Sequence, residues 1–131
     1  MSTSPNRVVA TVAGIVYLLT GVAGFLVTTG VGFVDTPGGL LLGIFEVNGL
    51  QNLIHILIGA ALLIAGLVGA RAARTVNGVA GAAFLVLGLA GLFVVGTGFN
   101  VLAINGADNA VHFGSAALLL AVGLGAERDR A

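Results

Sequence analysis

Four long stretches of this chain are almost free of charged side chains, and this feature limits the possible folds more than any other. Trimmed at their turn residues, the stretches give spans of about 8–32, 49–70, 76–98 and 106–126. Each span is long enough to cross a bilayer core of about 30 Å as a helix. The stretches are continuously apolar and lack the two-residue alternation of barrel strands. The sequence therefore predicts one all-α integral membrane domain over residues 1–131, folded as a four-helix bundle.

The composition supports a membrane protein. The chain is 58% hydrophobic and only 8% charged, whereas a soluble domain is about 25% charged. So few charges could not cover a surface that faces water. The formal net charge of zero argues against nucleic acid as a partner. The chain has no cysteine, which excludes disulfides, thiolate metal ligands and cysteine nucleophiles.

The arginines predict the orientation in the membrane. All five cations are arginines, and all lie on one side of a four-span threading: Arg7, Arg71, Arg74, Arg128 and Arg130. Asp35, Glu46 and Asp108 lie on the other side. The positive-inside rule then predicts that both termini are cytoplasmic, and the expected location is the plasma membrane. The first apolar run exceeds the about 7–15 apolar residues of a signal peptide, so it is expected to be a membrane helix.

The chain reads as two copies of one helical hairpin. The copies are residues 7–70 and residues 74–126. Arg7–Gly14 aligns with Arg74–Gly81 at an offset of 67 residues, and Asn48–His55 aligns with Asn105–His112 at an offset of 57. The copies have the same direction through the membrane, and parallel repeats are related by an axis along the membrane normal. A pseudo-two-fold bundle of two parallel hairpin repeats is the expected architecture.

Glycines recur on one face of the first and third spans. They are Gly14, Gly21, Gly24, Gly81, Gly88 and Gly91. Small residues on one face let membrane helices approach closely, because lipid supplies no hydrophobic drive between helices. These glycines are predicted to pack helices together. The alternative is that they leave room for a flat cofactor or a lipid.

Each copy also places two asparagines and a histidine on one helix face, at positions i, i+4 and i+7. They are Asn48, Asn52 and His55 in the first copy, and Asn105, Asn109 and His112 in the second. Asn48 and Asn105 are predicted N-caps. Gln51 and Asp108, three residues later, complete a variant of the capping box. The histidines are expected about 10 Å below the outer boundary, at 1.5 Å per helical residue.

Several interpretations remain open for Asn52, His55, Asn109 and His112. Interhelical hydrogen bonds are common for such residues in membrane bundles, while ionisable residues within spans are candidates for function. The two histidines could be the axial ligands of a b-type haem. A shared metal is less favoured, because no carboxylate or cysteine stands at helical spacing beside them. A lipid, a quinone or another small apolar ligand could also bind in the outer half of the bundle.

Two further features concern the same half of the membrane. Tyr17 is expected near mid-membrane, packed in the core with one hydrogen bond, and Phe84 is its counterpart in the second copy. The first outer loop, residues 33–47, is too short to span and too apolar for open water, and Pro37-Gly38-Gly39 is a turn signal. The loop is expected to lie in the outer interface or to cap the bundle above the histidines as a lid.

The string from Phe45 to His55 resembles a family of small four-helix membrane proteins found mainly in actinobacteria and described as a domain of unknown function. The family signature is similar to Asn-x-x-x-Asn-x-x-His at the start of the second helix, and the likeness covers residues 7–126. A looser likeness links the chain to DoxX-type membrane proteins, four-helix bundles associated with redox chemistry. The resemblance implies the topology and singles out the Asn/His motif, but it implies no activity.

The sequence thus predicts a multi-pass membrane protein of unknown activity that acts as a structural or accessory component of a membrane assembly. Its expected partners are membrane lipid and either further copies of itself or a larger membrane complex. The alternative is a binder of haem, quinone or lipid through His55 and His112. An enzyme is the least favoured class, because no acid–base or nucleophile constellation is present.

Overall fold

Four helices pack into a bundle in the computed structural model, which describes residues 3–128. They are α1 (Pro5–Val27), α2 (Gly49–Val68), α3 (Ala70–Val94) and α4 (Gly106–Gly125). Each helix is long and apolar enough to cross a membrane. The predicted all-α membrane bundle is confirmed. Arg130, one of the arginines used to predict the orientation, lies outside the described residues.

The first helix is shorter at its end than the predicted span of 8–32. Ser4 caps its start by accepting a hydrogen bond from Arg7 N, and Pro5 occupies the first turn, where its missing N–H has no helical partner to lose. The helix stops at Val27. Gly30 follows with a φ of +83°, a backbone conformation that glycine adopts without strain. The predicted residues 28–32 therefore belong to the following loop.

The third helix begins earlier than the predicted span of 76–98. Gly69 alone separates α2 from α3, so Arg71 and Arg74 are helical residues rather than loop residues. Alanine and arginine are both strong helix formers, which explains why the helix extends back to Ala70. The helix ends at Val94, ahead of a turn that contains Gly96 with a φ of +79°.

The loop after α1 contains a short β-hairpin that the sequence did not predict. Its strands are β1 (Gly39–Leu41) and β2 (Phe45–Val47), paired antiparallel with Leu41 opposite Phe45. Leu42 and Gly43 both have positive φ angles, of 55° and 71°, as a type I′ turn requires. A glycine removes the steric cost at one of the two positions.

The helices pack mainly as two antiparallel pairs, α1 with α2 and α3 with α4. We call the end with segments 28–48 and 95–105 the loop end, and the end with Gly69, Arg7 and Arg74 the arginine end. Between the pairs, α1 and α2 both pack against α3, whereas α1 meets α4 over fewer residues. The bundle is therefore more open between α1 and α4.

The six predicted packing glycines lie where the helices of a pair meet. A Cβ atom at each would clash with the neighbouring helix: Gly14 with Leu63, Gly21 with Ile56, Gly24 with Asn52, Gly81 with Leu120, Gly88 with Phe113 and Gly91 with Asn109. The first three contacts correspond to the last three at the offsets of 67 and 57 residues. Both hairpins are thus held by the same glycine contacts.

Candidate functional site

Four aromatic rings from four different helices meet in the core of the bundle. Tyr17 on α1 lies 4.5 Å from Phe84 on α3, measured between ring centroids, and 5.2 Å from His55 on α2. His112 on α4 lies 5.7 Å from both His55 and Phe84. We call these four residues the ring cluster. It joins the two hairpins at their centre, and all four side chains are at most 5% exposed.

The two histidines form one site. Their Nε2 atoms are 3.4 Å apart, within hydrogen-bonding distance. A hydrogen bond between two neutral imidazoles needs one Nε2–H donor and one bare Nε2 acceptor, so the rings hold opposite tautomers. The Nδ1 atoms of His55 and His112 are buried and have no partner among the described residues. The pair therefore has one spare donor and one spare acceptor inside the membrane region.

A groove between α1 and α4 reaches this pair. It has a volume of about 600 Å³, which lies within the about 300–1,000 Å³ of ligand pockets. Its walls are mostly apolar residues of α1 and α4, from Val8 to Thr20 and from Asp108 to Leu118. The β-hairpin closes it at the loop end, where Leu41 and Phe45 line it. The loop thus covers the same groove that the histidines border.

Polar groups are few along the groove, and most of them lie together. The Tyr17 hydroxyl is hydrogen-bonded to Ser115 Oγ, which links α1 to α4. His55 and His112 line the groove beside this pair. The Thr20 hydroxyl donates to the carbonyl of Val16 on its own helix. A bound molecule would therefore meet apolar side chains over most of its length, a small polar region at the level of Tyr17, and Asp108 at the loop end.

Cap residues hold the loop end above the groove. Asn48 accepts from Gln51 N at 3.0 Å, and Asn105 with Asp108 forms a reciprocal capping box. Gln51 does not complete a capping box as Asp108 does. Its side-chain Nε2 donates instead to the Leu102 carbonyl at 2.7 Å.

The same caps also join the two hairpins to each other. Asn48 Nδ2 donates to the Val101 carbonyl at 2.8 Å, and Asn105 Nδ2 donates to the Ile44 carbonyl at 2.9 Å. These bonds fix the β-hairpin relative to α4 at the loop end of the groove.

The remaining motif residues, Asn52 and Asn109, do not join the histidines. Each lies within its own hairpin, against Gly24 and Gly91 respectively. Asn52 Nδ2 donates to Thr28 Oγ1 at 3.3 Å, which links α2 to the end of α1. The structure thus separates the four candidate residues into one central histidine pair and two local asparagine contacts.

A haem held between the two histidines does not fit this packing. The glycines that were considered as room for a flat cofactor are filled by α2 and α4. The His55 and His112 Nε2 atoms face each other directly at 3.4 Å, so a porphyrin between them would have to separate the hairpins. Among residues 3–128, no group of three or more His, Cys, Asp or Glu side chains could hold a metal ion.

A second polar cluster, at the arginine end, was missed by the sequence analysis. The Glu127 carboxylate accepts hydrogen bonds from Ser4 Oγ at 2.8 Å and from Asn6 Nδ2 at 2.9 Å. Asn77 Nδ2 donates to both Asn6 O and Asn6 Oδ1 at 3.0 Å. The cluster ties the start of α1 to α3 and to the segment after α4. The only available signal was a lone asparagine at position 77 in an apolar helix.

Comparison with known proteins gives a family without an assigned activity. No curated protein and no solved structure matches the chain. The family model described as Domain of unknown function (DUF4383) matches residues 7–125, which include α2, α3, α4 and all but the first two residues of α1, together with the histidine pair and the groove. A match over that range identifies the chain as a member of the DUF4383 family.

Proposed function

We propose that the protein binds one lipid-like molecule, with a long apolar chain and a single polar group, in the groove between α1 and α4. The observation that carries the proposal is the position of the histidine pair. An otherwise apolar groove of about 600 Å³ borders a buried pair of rings with unpartnered Nδ1 atoms. Buried polar atoms without a partner cost free energy, and ionisable residues within membrane spans are candidates for function.

The shape of the groove favours an elongated ligand. Its α1 wall extends from Val8 to Thr20, roughly 18 Å at 1.5 Å per residue. That length suits an acyl or isoprenoid chain lying parallel to the helices. Apolar side chains of α1 and α4 would contact the chain, and Phe45 of the β-hairpin would contact its end at the loop end.

The polar region suits a carbonyl or hydroxyl head group. Hydroxyl hydrogens can rotate, so Tyr17 and Ser115 can exchange their mutual bond for a bond to a ligand. A ligand that accepts from Tyr17 would lie next to His55, which is 5.2 Å from the Tyr17 ring. Both quinones and lipids with a free hydroxyl have this chemistry.

Filling the groove tests the proposal. Val16 lines the groove and is 53% exposed, whereas Val86 on α3 is 64% exposed and lies outside it. The protein is purified in mild detergent as wild type, Val16→Trp and Val86→Trp, and bound lipids are extracted and identified by mass spectrometry. We expect a stoichiometric amphipathic compound with the wild type and with Val86→Trp, and its loss from Val16→Trp. Identical lipid content in all three proteins would refute a site in the groove.

We further propose that the arginine end is cytoplasmic, that the protein resides in the plasma membrane, and that the two hairpins arose by duplication of one unit. The matched glycine contacts support the duplication. The positive-inside rule supports the orientation. A reporter that is active only in the cytoplasm should be active when fused to the C-terminus, and an inactive but expressed fusion would exclude the orientation. The actinobacterial source and the DoxX likeness stay predictions.

A structural or accessory role in a membrane assembly remains the second candidate. The hydrogen bond between His55 and His112 favours a structural role for the pair, since it links the two hairpins. Large apolar side chains are exposed on all four helices, as contact with lipid also requires, so no single face is marked as a partner surface. Stable co-purification of a second membrane protein with both Val16→Trp and the wild type would favour this role over ligand binding.

A further inference from the structure

We infer that the second hairpin carries a binding site for the head group of an anionic phospholipid at the arginine end, separate from the groove. A cavity of about 300 Å³ lies between α3 and α4 there. Arg71, Arg74 and Thr75 line it on the polar side, Leu124 lines it near the end of α4, and Val79 lines it on the side toward the membrane interior. Basic pockets between membrane helices near the cytoplasmic face suit anionic head groups.

The two guanidinium groups are available to bind an anion. Arg74 Nε donates to the Gly123 carbonyl at 3.2 Å, which orients the side chain along the cavity. Within residues 3–128, the terminal nitrogens of Arg74 and the whole guanidinium of Arg71 have no acceptor. Arginine binds phosphate oxygens through two parallel N–H donors. The two side chains thus offer up to two such forks to one phosphate group.

The corresponding place in the first hairpin is closed, which shows how the cavity arises. At the offset of 67 residues, Thr11 corresponds to Gly78 and Ser4 corresponds to Arg71. The Thr11 hydroxyl packs over Gly66, whereas a Cβ atom at Gly78 would meet no atom within 4 Å. Three differences thus make the second site open and positively charged. The second hairpin has Gly78 in place of Thr11, Arg71 in place of Ser4, and Thr75 in place of Val8.

The position of the cavity matches a lipid rather than a free anion. Val79 and Leu124 are 66% and 61% exposed, and Val79 leads from the cavity to the apolar surface of α3. A head group held by Arg71 and Arg74 would place its acyl chains against these side chains. A soluble phosphate would use the arginines but not the apolar surface below them.

Native mass spectrometry of the whole chain in detergent, titrated with phosphatidylglycerol or phosphatidylcholine, tests the inference. Phosphatidylglycerol should bind about 25-fold more tightly, at about fivefold for each of the two arginines. Arg71→Gln should weaken its binding about fivefold. Gly78→Thr, which fills the cavity with the residue of the first hairpin and keeps every charge, should weaken it at least as much. Arg128→Gln removes a charge at the same end outside the cavity and should change little.

Each alternative gives a different result. Equal losses in Arg71→Gln and Arg128→Gln, with no effect of Gly78→Thr, would mean diffuse attraction and would overturn the site. Inorganic phosphate that competes at the concentration of the lipid would identify a soluble anion as the ligand and would overturn the lipid assignment. Circular dichroism checks that Gly78→Thr stays folded, as the open space around Gly78 predicts.

Discussion

The two interfaces between the helix pairs differ, although the residues on either side of them correspond. α2 and α3 are joined through the single residue Gly69 and pack closely. α1 and α4 are the first and last helices, have no direct link, and leave a groove of about 600 Å³ between them. In a two-fold arrangement these interfaces would be equivalent. The open interface is the one whose helices have no direct connection, so the packing motif that the hairpins share does not by itself decide which interface opens.

The contacts within each hairpin are, by contrast, nearly the same. Gly14 lies against Leu63 as Gly81 lies against Leu120. Arg7 and Arg74 both donate through Nε to a carbonyl of the partner helix. The contacts within each hairpin that the two share are therefore structural, whereas the openings that differ, between α1 and α4 and around Gly78, mark where the two proposed binding sites lie.

The largest loss of stability is expected at a close backbone contact that exists in one hairpin only. A Cβ atom at Gly59 would lie 2.6 Å from Leu18 N and 2.9 Å from Gly14 O. Both are backbone atoms, so Gly59→Ala must separate α1 from α2 and should destabilise the protein by about 3 kcal/mol. Unfolding by SDS titration in mixed micelles, followed by circular dichroism, measures the change.

The corresponding residue of the second hairpin is already Ala116, which is 2% exposed. Ala116→Gly should cost only about 0.5–1 kcal/mol. Gly114→Ala is the matched control, because a Cβ atom there meets open space. A neutral Gly59→Ala would mean that the first hairpin packs no more tightly than the second at this level.

Substitution of either histidine of the pair should give the next largest loss of stability, and the loss should be the same for both histidines. His55→Phe and His112→Phe each leave one imidazole without its Nε2 partner, and each should cost about 2 kcal/mol. The double variant removes both polar groups and should be more stable than either single variant. A double-mutant cycle by SDS titration measures the coupling. Additive losses would mean that the two rings do not bond in the membrane.

The fold class was predictable because the charge-free runs are longer than any soluble element would need. The β-hairpin was not, because Leu42-Gly43 lacks the Asn-Gly or Asp-Gly signal of a type I′ turn, and a leucine with positive φ is uncommon. Aligning the copies placed His55 and His112 at matched depth. It could not give their contact, which depends on how the glycine-packed pairs rotate against each other.

The groove and the polar cluster at the arginine end could not be predicted from the sequence either. The separation of α1 from α4 is a property of the whole bundle and leaves no local pattern. Asn6 and Asn77 correspond to Ala73 and Ala10 in the other copy, so the alignment that revealed the shared motif conceals this pair. Their contact joins residues 71 positions apart.

The Asn6–Asn77 contact has no counterpart elsewhere in the bundle, and its removal should give the third largest loss of stability. Asn77→Ala removes the donor that serves both Asn6 O and Asn6 Oδ1 and should destabilise the bundle by about 1.5 kcal/mol. Thr75→Ala, an exposed residue two positions earlier, is the control and should be nearly neutral. SDS titration measures both, and equal stability of the two variants would show that the cluster does not hold the hairpins together.

The smallest losses of stability are expected from substitution of the two arginines at equivalent positions in the hairpins. Arg7 makes two bonds to the end of α2, to the Gly66 carbonyl at 2.9 Å and to the Leu67 carbonyl at 3.3 Å. Arg74 makes one bond to α4, to the Gly123 carbonyl at 3.2 Å. Arg7→Gln should therefore cost about 1 kcal/mol, and Arg74→Gln about half as much. If Arg74→Gln instead costs more in SDS titrations, and does so only in the presence of anionic lipid, the head group rather than the Gly123 carbonyl is the main partner of that side chain.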